Sequence, residues 1–169
     1  GRYQLKPQAV DLLALLRRVA AELAPLARGR RVLLTRRVKG RPARARQRYL
    51  VLGEEGLLEV LFENLLKNAL EAAPPGSRIT VEMGPGKQGG HLIVIHNLGV
   101  IPPEIRDRFF EPYVTSGKRE GTGLGTHSAR LIARAHGGEL AFTTSESEGT
   151  RLLLSLPGES RPEERRRMN

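Results

Sequence analysis

A chain of 169 residues without cysteine is long enough to bury one core, excludes a disulfide-stapled scaffold and permits a reducing interior. A net charge of +10 raises nucleic acid as a partner, but arginine outnumbers lysine 23 to 5, which reads as a coding bias, and ten of these residues lie in 28–48 without an acid or an interleaved aromatic for base stacking. Specific nucleic-acid binding is not expected there, and a solvated face or contact with an acidic partner or neighbouring domain is.

In chain order, leucines at helical spacing predict a helix over 10–27. Residues 31–38 and 49–52 predict strands around a basic loop that holds Gly40 and Pro42. A second helix is expected over 54–73, with Leu58, Leu61, Phe62, Leu65, Leu66, Ala69 and Leu70 on one side, ended by Pro74-Pro75-Gly76. Residues 78–83 and 91–95 predict a hairpin, and 103–108 a short helix. A lid follows over 114–122, and glycines at 117, 121, 123 and 125 predict its mobility. Next come a helix over 122–135, capped by Gly137-Gly138, and a closing hairpin of 139–144 with 150–156. Three helices and a hairpin-rich sheet imply an α/β fold: a two-layer sandwich, its mixed, mostly antiparallel sheet of about five strands covered on one face by three helices. Residues 1–157 are read as one domain and 158–169 as a charged, disordered tail. No apolar run approaches the ~20 residues of a membrane-spanning helix, and no signal peptide is visible. The opening Gly1-Arg2-Tyr3, without Met, reads as that of a piece of a longer protein.

Two features carry chemistry. The first runs from Phe110-Glu111-Pro112-Tyr113 through Thr115 and Lys118 into Gly121, Thr122, Gly123, Leu124 and Gly125, which opens a helix. Glycines let backbone N–H groups approach an anion, the helix start adds unpaired donors, and Lys118 supplies a cation, the chemistry of a polyphosphate cradle under a flexible cover. An ordinary tight turn is the alternative. A Walker A loop is excluded, because Pro112 stands where its first Gly belongs and Arg119 where its Ser/Thr belongs. A Rossmann fingerprint is disfavoured, because Arg119-Glu120 rather than a strand precede the glycines. The second feature is Asn64 and Asn68, four apart on one helix face that Glu71 extends. Asn is a mediocre helix former, so two in register imply a hydrogen-bonding task, a solvated position or a ligand. An amide oxygen suits Mg²⁺.

In combination these motifs closely resemble the ATP-binding catalytic domain of bacterial sensor histidine kinases, within the superfamily that also holds gyrase, the heat-shock chaperone ATPases and the mismatch-repair ATPases. Glu63-Asn64-Leu65-Leu66-Lys67-Asn68-Ala69 resembles its N-box, Phe109-Phe110-Glu111-Pro112-Tyr113 its F-box and Gly121 to Gly125 its second glycine box. Gly149-Thr150 resembles the late Gly-Thr that backs the adenine pocket, and the resemblance spans roughly 4–157. It implies ATP and Mg²⁺ as cofactors. Asn68 would bind the metal, Asn64 would support the metal or its water, and Glu63 or Glu71 could assist. Lys118 would pair with the β/γ-phosphates, Gly121, Gly123 and Gly125 would present backbone donors around Thr122, and Ile101 and Leu124 would wall the base.

Two positions depart from the pattern. The first glycine box usually reads Asp-x-Gly-x-Gly-Ile-Pro, its Asp accepting from the adenine amino group; here the segment is His96-Asn97-Leu98-Gly99-Val100-Ile101-Pro102. Either His96 or Asn97 takes the Asp position, Asn97 with Gly99 being favoured because an amide oxygen can accept that hydrogen bond. Thr126 also stands where an apolar residue is usual after Gly125.

None of His91, His96, His127 and His136 fits the phosphoacceptor of such kinases. The resemblance therefore implies partners outside this chain: a histidine-bearing dimerisation domain of the same protein and a response regulator. It implies a cytoplasmic location, with membrane anchoring open, and a fragment monomeric by itself from a homodimeric full-length protein. An anti-sigma-factor-type serine kinase and a degenerate docking module remain alternatives.

Overall fold

A computed structural model describes residues 3–115 and 122–159. The elements are β1 (Gln8–Asp11), α1 (Leu12–Arg30), β2 (Leu33–Val38), β3 (Arg41–Pro42), β4 (Leu50–Gly53), α2 (Glu55–Ala72), β5 (Arg78–Pro85), β6 (His91–Asn97), α3 (Gly125–Ala135), β7 (Glu139–Ser145) and β8 (Gly149–Leu156). Short 3-10 turns occupy Lys87–Gly89 and Pro103–Arg108. Six strands form one sheet in the order β3-β2-β5-β6-β8-β7, with β2 and β5 parallel and the other pairs antiparallel. The sandwich architecture is the expected one. The main sheet has six strands rather than about five because the two-residue β3 extends its edge.

The strand expected at 49–52 is β4, and it pairs with β1 in a separate two-stranded sheet. β1 is not predicted by the residue pattern, whose leucine spacing starts the first helix at residue 10 rather than at Leu12. The physical reason is Asp11: its Oδ1 accepts from Leu13 N–H at 3.1 Å and from Tyr49 N–H at 3.0 Å. That caps α1 at Leu12 and ties the preceding extended backbone to β4. α1 then continues through Pro25, which lies on the exposed face, where the carbonyl deprived of its N–H partner can turn to water.

Alternation along the strands places the core. Ile79, Val81 and Met83 of β5, Ile93, Ile95 and Asn97 of β6, and Thr150, Leu152, Leu154 and Leu156 of β8 are buried, while the residues between them are less so. Leu58, Leu61, Phe62, Leu65, Leu66, Ala69 and Leu70 of α2 bury the facing helix stripe, each large side chain contributing about 1.5–3 kcal/mol. α2 sits between α1 and α3 and carries the site's first wall.

The four histidines are held by the fold. His136 donates from Nδ1 to the Ile132 carbonyl and accepts from Glu54 N–H at Nε2. His127 donates from Nδ1 to the Phe110 carbonyl, and His96 from Nε2 to that of Glu148. His91 packs edge-on against Tyr49 and bonds its hydroxyl at 2.8 Å; burial pushes the His91 pKa down.

Candidate functional site

The polar stripe of α2 lines a cavity of about 490 Å³. Asn64, Lys67, Asn68, Glu71 and Ala72 form this wall. Asn64 and Asn68 lie mid-helix and half-buried, so neither caps an end. Among the described residues neither amide has a side-chain hydrogen-bond partner. Half-buried and facing the cavity, both amides offer donors and acceptors to whatever occupies it.

The ends of β6 and β8 form the floor. Asn97 is 2% exposed and faces the cavity. Its neighbour His96 points to the opposite face of the sheet, as strand alternation requires, and does not line the cavity. Asn97 Oδ1 accepts from Gly99 N–H at 2.7 Å, closing a tight turn. Ile101 N–H donates to Thr144 Oγ1 at 3.0 Å, which leaves the Thr144 hydroxyl to donate to Thr150 Oγ1 at 2.8 Å; Thr150 in turn donates to the Gly99 carbonyl at 2.8 Å. Each hydroxyl has one proton, so this relay has a single direction and leaves Thr150 Oγ1 only acceptor capacity. Val100, Ile101, Pro102, Ile105 and Phe109 make the adjoining wall mostly apolar.

The cavity extends along α2. At its C-terminal end the floor loop touches the helix: a Cβ on Gly99 would lie 2.4 Å from the Ala72 carbonyl oxygen. Toward its middle, Gly125 at the start of α3 approaches Asn64, with an added Cβ 3.6 Å from Oδ1. Eight residues of helix separate the two contacts, roughly 12 Å. The site thus joins a buried end, apolar-walled over a polar floor, to an end lined by amides and a helix start.

The third wall comes from the segments on either side of residues 116–121. Tyr113 N–H donates to the Gly123 carbonyl at 3.0 Å, with both residues at positive φ. A Cβ on Gly123 would meet Tyr113 backbone at 2.7 Å, so only glycine fits this closure. Phe109, Phe110 and Phe142 form an aromatic cluster, and the Arg130 guanidinium lies 5.1 Å from the Phe110 ring centroid. Thr126, unusual in sequence, has a task here: its buried hydroxyl donates to the Phe109 carbonyl at 3.0 Å, fastening α3 to this segment. Thr126→Val, nearly isosteric, leaves that carbonyl unpaired. It is expected to cost about 1–2 kcal/mol, read as a lower midpoint in urea unfolding.

Of the site residues expected from sequence, Asn64, Asn68, Asn97, Ile101, Thr122, Gly123, Leu124, Gly125 and Thr150 line the cavity. Gly99 stands behind Asn97 and Thr150 and holds both. Glu71 lines the cavity and Glu63 is exposed outside it. Lys118 and Gly121 lie outside the described residues, as do most of the expected lid and all but the start of the expected tail. Sequence reading missed Ile105, Ser128 and the Thr144 relay. The signal for Thr144 was its place opposite Thr150 in the closing hairpin.

Residues 53–160 match the model of the histidine kinase-, DNA gyrase B- and HSP90-like ATPases. The chain belongs to this family. Within it, the chain is similar to the alginate biosynthesis sensor protein KinB of Pseudomonas aeruginosa, 30% identical over 93% of this chain and 26% of the relative. It is likewise similar to the swarming motility regulation sensor protein RssA of Serratia marcescens, 31% identical over 95% of this chain and 34% of the relative. The mycobacterial sensor histidine kinase MprB shares its fold with a TM-score of 0.72 and 27% identity, over 91% of this chain and 99% of that structure. This is an ATPase domain of the sensor histidine kinase kind. The chain spans about a sixth to a third of the length of the curated relatives it matches. No helix among the described residues is long and apolar enough to cross a membrane.

Proposed function

We propose that this domain binds ATP with Mg²⁺ in the α2 cavity and donates the γ-phosphoryl group to a histidine on a separate dimerisation domain of the same protein. The observation that carries the reading is the pair of amides, Asn64 and Asn68, without side-chain hydrogen-bond partners among the described residues and facing one cavity with a buried polar floor at its other end. The donor set fits the metal, since Mg²⁺ commonly takes one or two protein oxygens and fills its shell with waters and substrate phosphates. When bound, it supplies charge neutralisation on the phosphates.

This chain's own residues position the reactants. Asn68 holds the metal through its amide oxygen and Asn64 holds an attached water. Backbone N–H groups around Gly123 and Gly125 meet the phosphates at the α3 start; Lys118 and Gly121 join them on the strength of the sequence. Ile101 and Leu124 sandwich the base, whose polar edge meets Asn97 and Thr150. Little covalent work remains for the protein, because phosphoryl transfer depends on in-line placement and charge stabilisation. None of the four histidines lines the cavity, so the acceptor belongs to another domain. The response regulator then draws the phosphoryl group from that histidine. The assignment includes a cytoplasmic location and a homodimeric full-length protein, with this domain monomeric by itself.

The test is calorimetric titration with ADP and a non-hydrolysable ATP analogue, with and without Mg²⁺, followed by incubation with γ-labelled ATP. Metal-dependent binding without self-labelling is the expected result. No binding at millimolar nucleotide overturns the reading in favour of a docking module, and stable label on a histidine of this chain overturns the assignment of the acceptor elsewhere.

A further inference from the structure

Asn97 is the most buried polar side chain of the cavity, and its orientation is fixed by chemistry. Gly99 N–H lies 2.7 Å from one terminal atom of the amide, and only the oxygen can accept there. The NH₂ group is therefore the other terminal atom. Among the described residues it has no acceptor, and the residue lines the cavity. A carboxylate in the same turn would offer an acceptor at that place; the amide offers a donor.

The rest of the floor is equally ambivalent. The one-way relay through Thr144 and Thr150 leaves Thr150 Oγ1 with a lone pair and no proton to give. Asn97 Oδ1 keeps a second lone pair beside the Gly99 contact. The floor thus holds one donor, the Asn97 NH₂, next to two neutral acceptors, and no charge. A 6-aminopurine presents an N–H donor beside a ring-nitrogen acceptor. A 6-oxopurine presents a carbonyl acceptor beside a ring N–H donor. Asn97 and Thr150 offer each edge a donor and an acceptor, and neither side chain carries a charge.

Resting on the nucleotide reading above, we propose that Asn97 abolishes discrimination at position 6 of the purine, so that this domain takes 6-oxopurine nucleotides as readily as adenine nucleotides. Sites that hydrogen-bond selectively reject the wrong analogue because a buried group is left unpaired, and here either base pairs the Asn97 NH₂ with its acceptor and one floor oxygen with its donor, so neither leaves the buried amide group without a partner.

The experiment compares ADP with IDP, which differ only at the six-position edge, by titration calorimetry with Mg²⁺ on the unaltered domain. The expected result is dissociation constants within about threefold of each other. Asn97→Asp, which restores an acceptor-only edge, is expected to move the ratio toward ADP by about tenfold or more. A tenfold preference of the unaltered domain for ADP overturns the proposal while leaving nucleotide binding in place. An unchanged ratio in folded Asn97→Asp overturns the role given to Asn97. Failure of both nucleotides to bind overturns the nucleotide reading and this proposal with it. The comparison on the unaltered domain decides the matter even where the variant does not fold.

Discussion

Asn68→Ala is expected to remove the metal-dependent part of nucleotide binding while leaving the fold intact. The two halves of that expectation have separate causes. Asn68 is half-buried, mid-helix and without a hydrogen-bond partner among the described residues, so truncation strands no other group. Alanine is the better helix former by about 0.5 kcal/mol, so stability is expected to hold or rise slightly. Binding should fall because, in the function proposed above, the Asn68 amide oxygen would be the protein's direct hold on the metal. A loss of about 10–100-fold in the presence of Mg²⁺ is expected, with little change when the metal is chelated. Asn64→Ala should cost less, because in the proposed site Asn64 would act through a water. Titrations of both variants with and without Mg²⁺ check this. Equal affinities for Asn68→Ala and the unaltered domain in Mg²⁺ would remove Asn68 from the metal site.

The features legible in the sequence are those set by local periodicity and by residue type at fixed spacing. α2 was readable because seven apolar positions recur at helical spacing, and its two asparagines stand out against that stripe. The floor was only half readable. Counting residues allowed either His96 or Asn97 at the polar position, because the loop before Pro102 admits two alignments. The structure separates them through the pleat of β6, which turns one residue in and the next out, and that depends on strand register rather than on composition. β1 was hidden for a related reason. Its four residues carry no strong alternation and run directly into a leucine-rich helix, so only the Asp11 cap and the pairing with β4 reveal it. Thr126 and Thr144 show the same limit in their long-range bonds: each hydroxyl pairs with backbone distant along the chain, Phe109 or Ile101, that no spacing rule connects.

Gly99→Ala is expected to damage both stability and binding, although it adds one methyl group. The added Cβ would lie 2.4 Å from the Ala72 carbonyl oxygen and 2.8 Å from Asn97 Oδ1. The first obstacle is backbone at the end of α2 and the second a buried amide, so neither can swing aside as the tip of a long side chain would. The loop must lift from α2, which loosens the Gly99 N–H bond to Asn97 and the Thr150 bond to the Gly99 carbonyl together. Overpacking of this kind costs about 1–3 kcal/mol, and loss of a buried hydrogen bond about 1 kcal/mol more. The melting temperature should therefore fall by roughly 5–10 °C. Binding should weaken by at least about tenfold, because Asn97 and Thr150, which would meet the base edge in the proposed site, lose their fixed positions. Gly56→Ala is the matched control: Gly56 is exposed in the first turn of α2, and its added Cβ meets nothing within 4 Å. That variant should bind nucleotide normally and melt no lower than the unaltered domain, since alanine is favoured over glycine in a helix by about 1 kcal/mol. Equal melting temperatures and affinities for the two variants would mean that the floor loop is free to move off α2, and the rigid orientation assigned to Asn97 would fall with it.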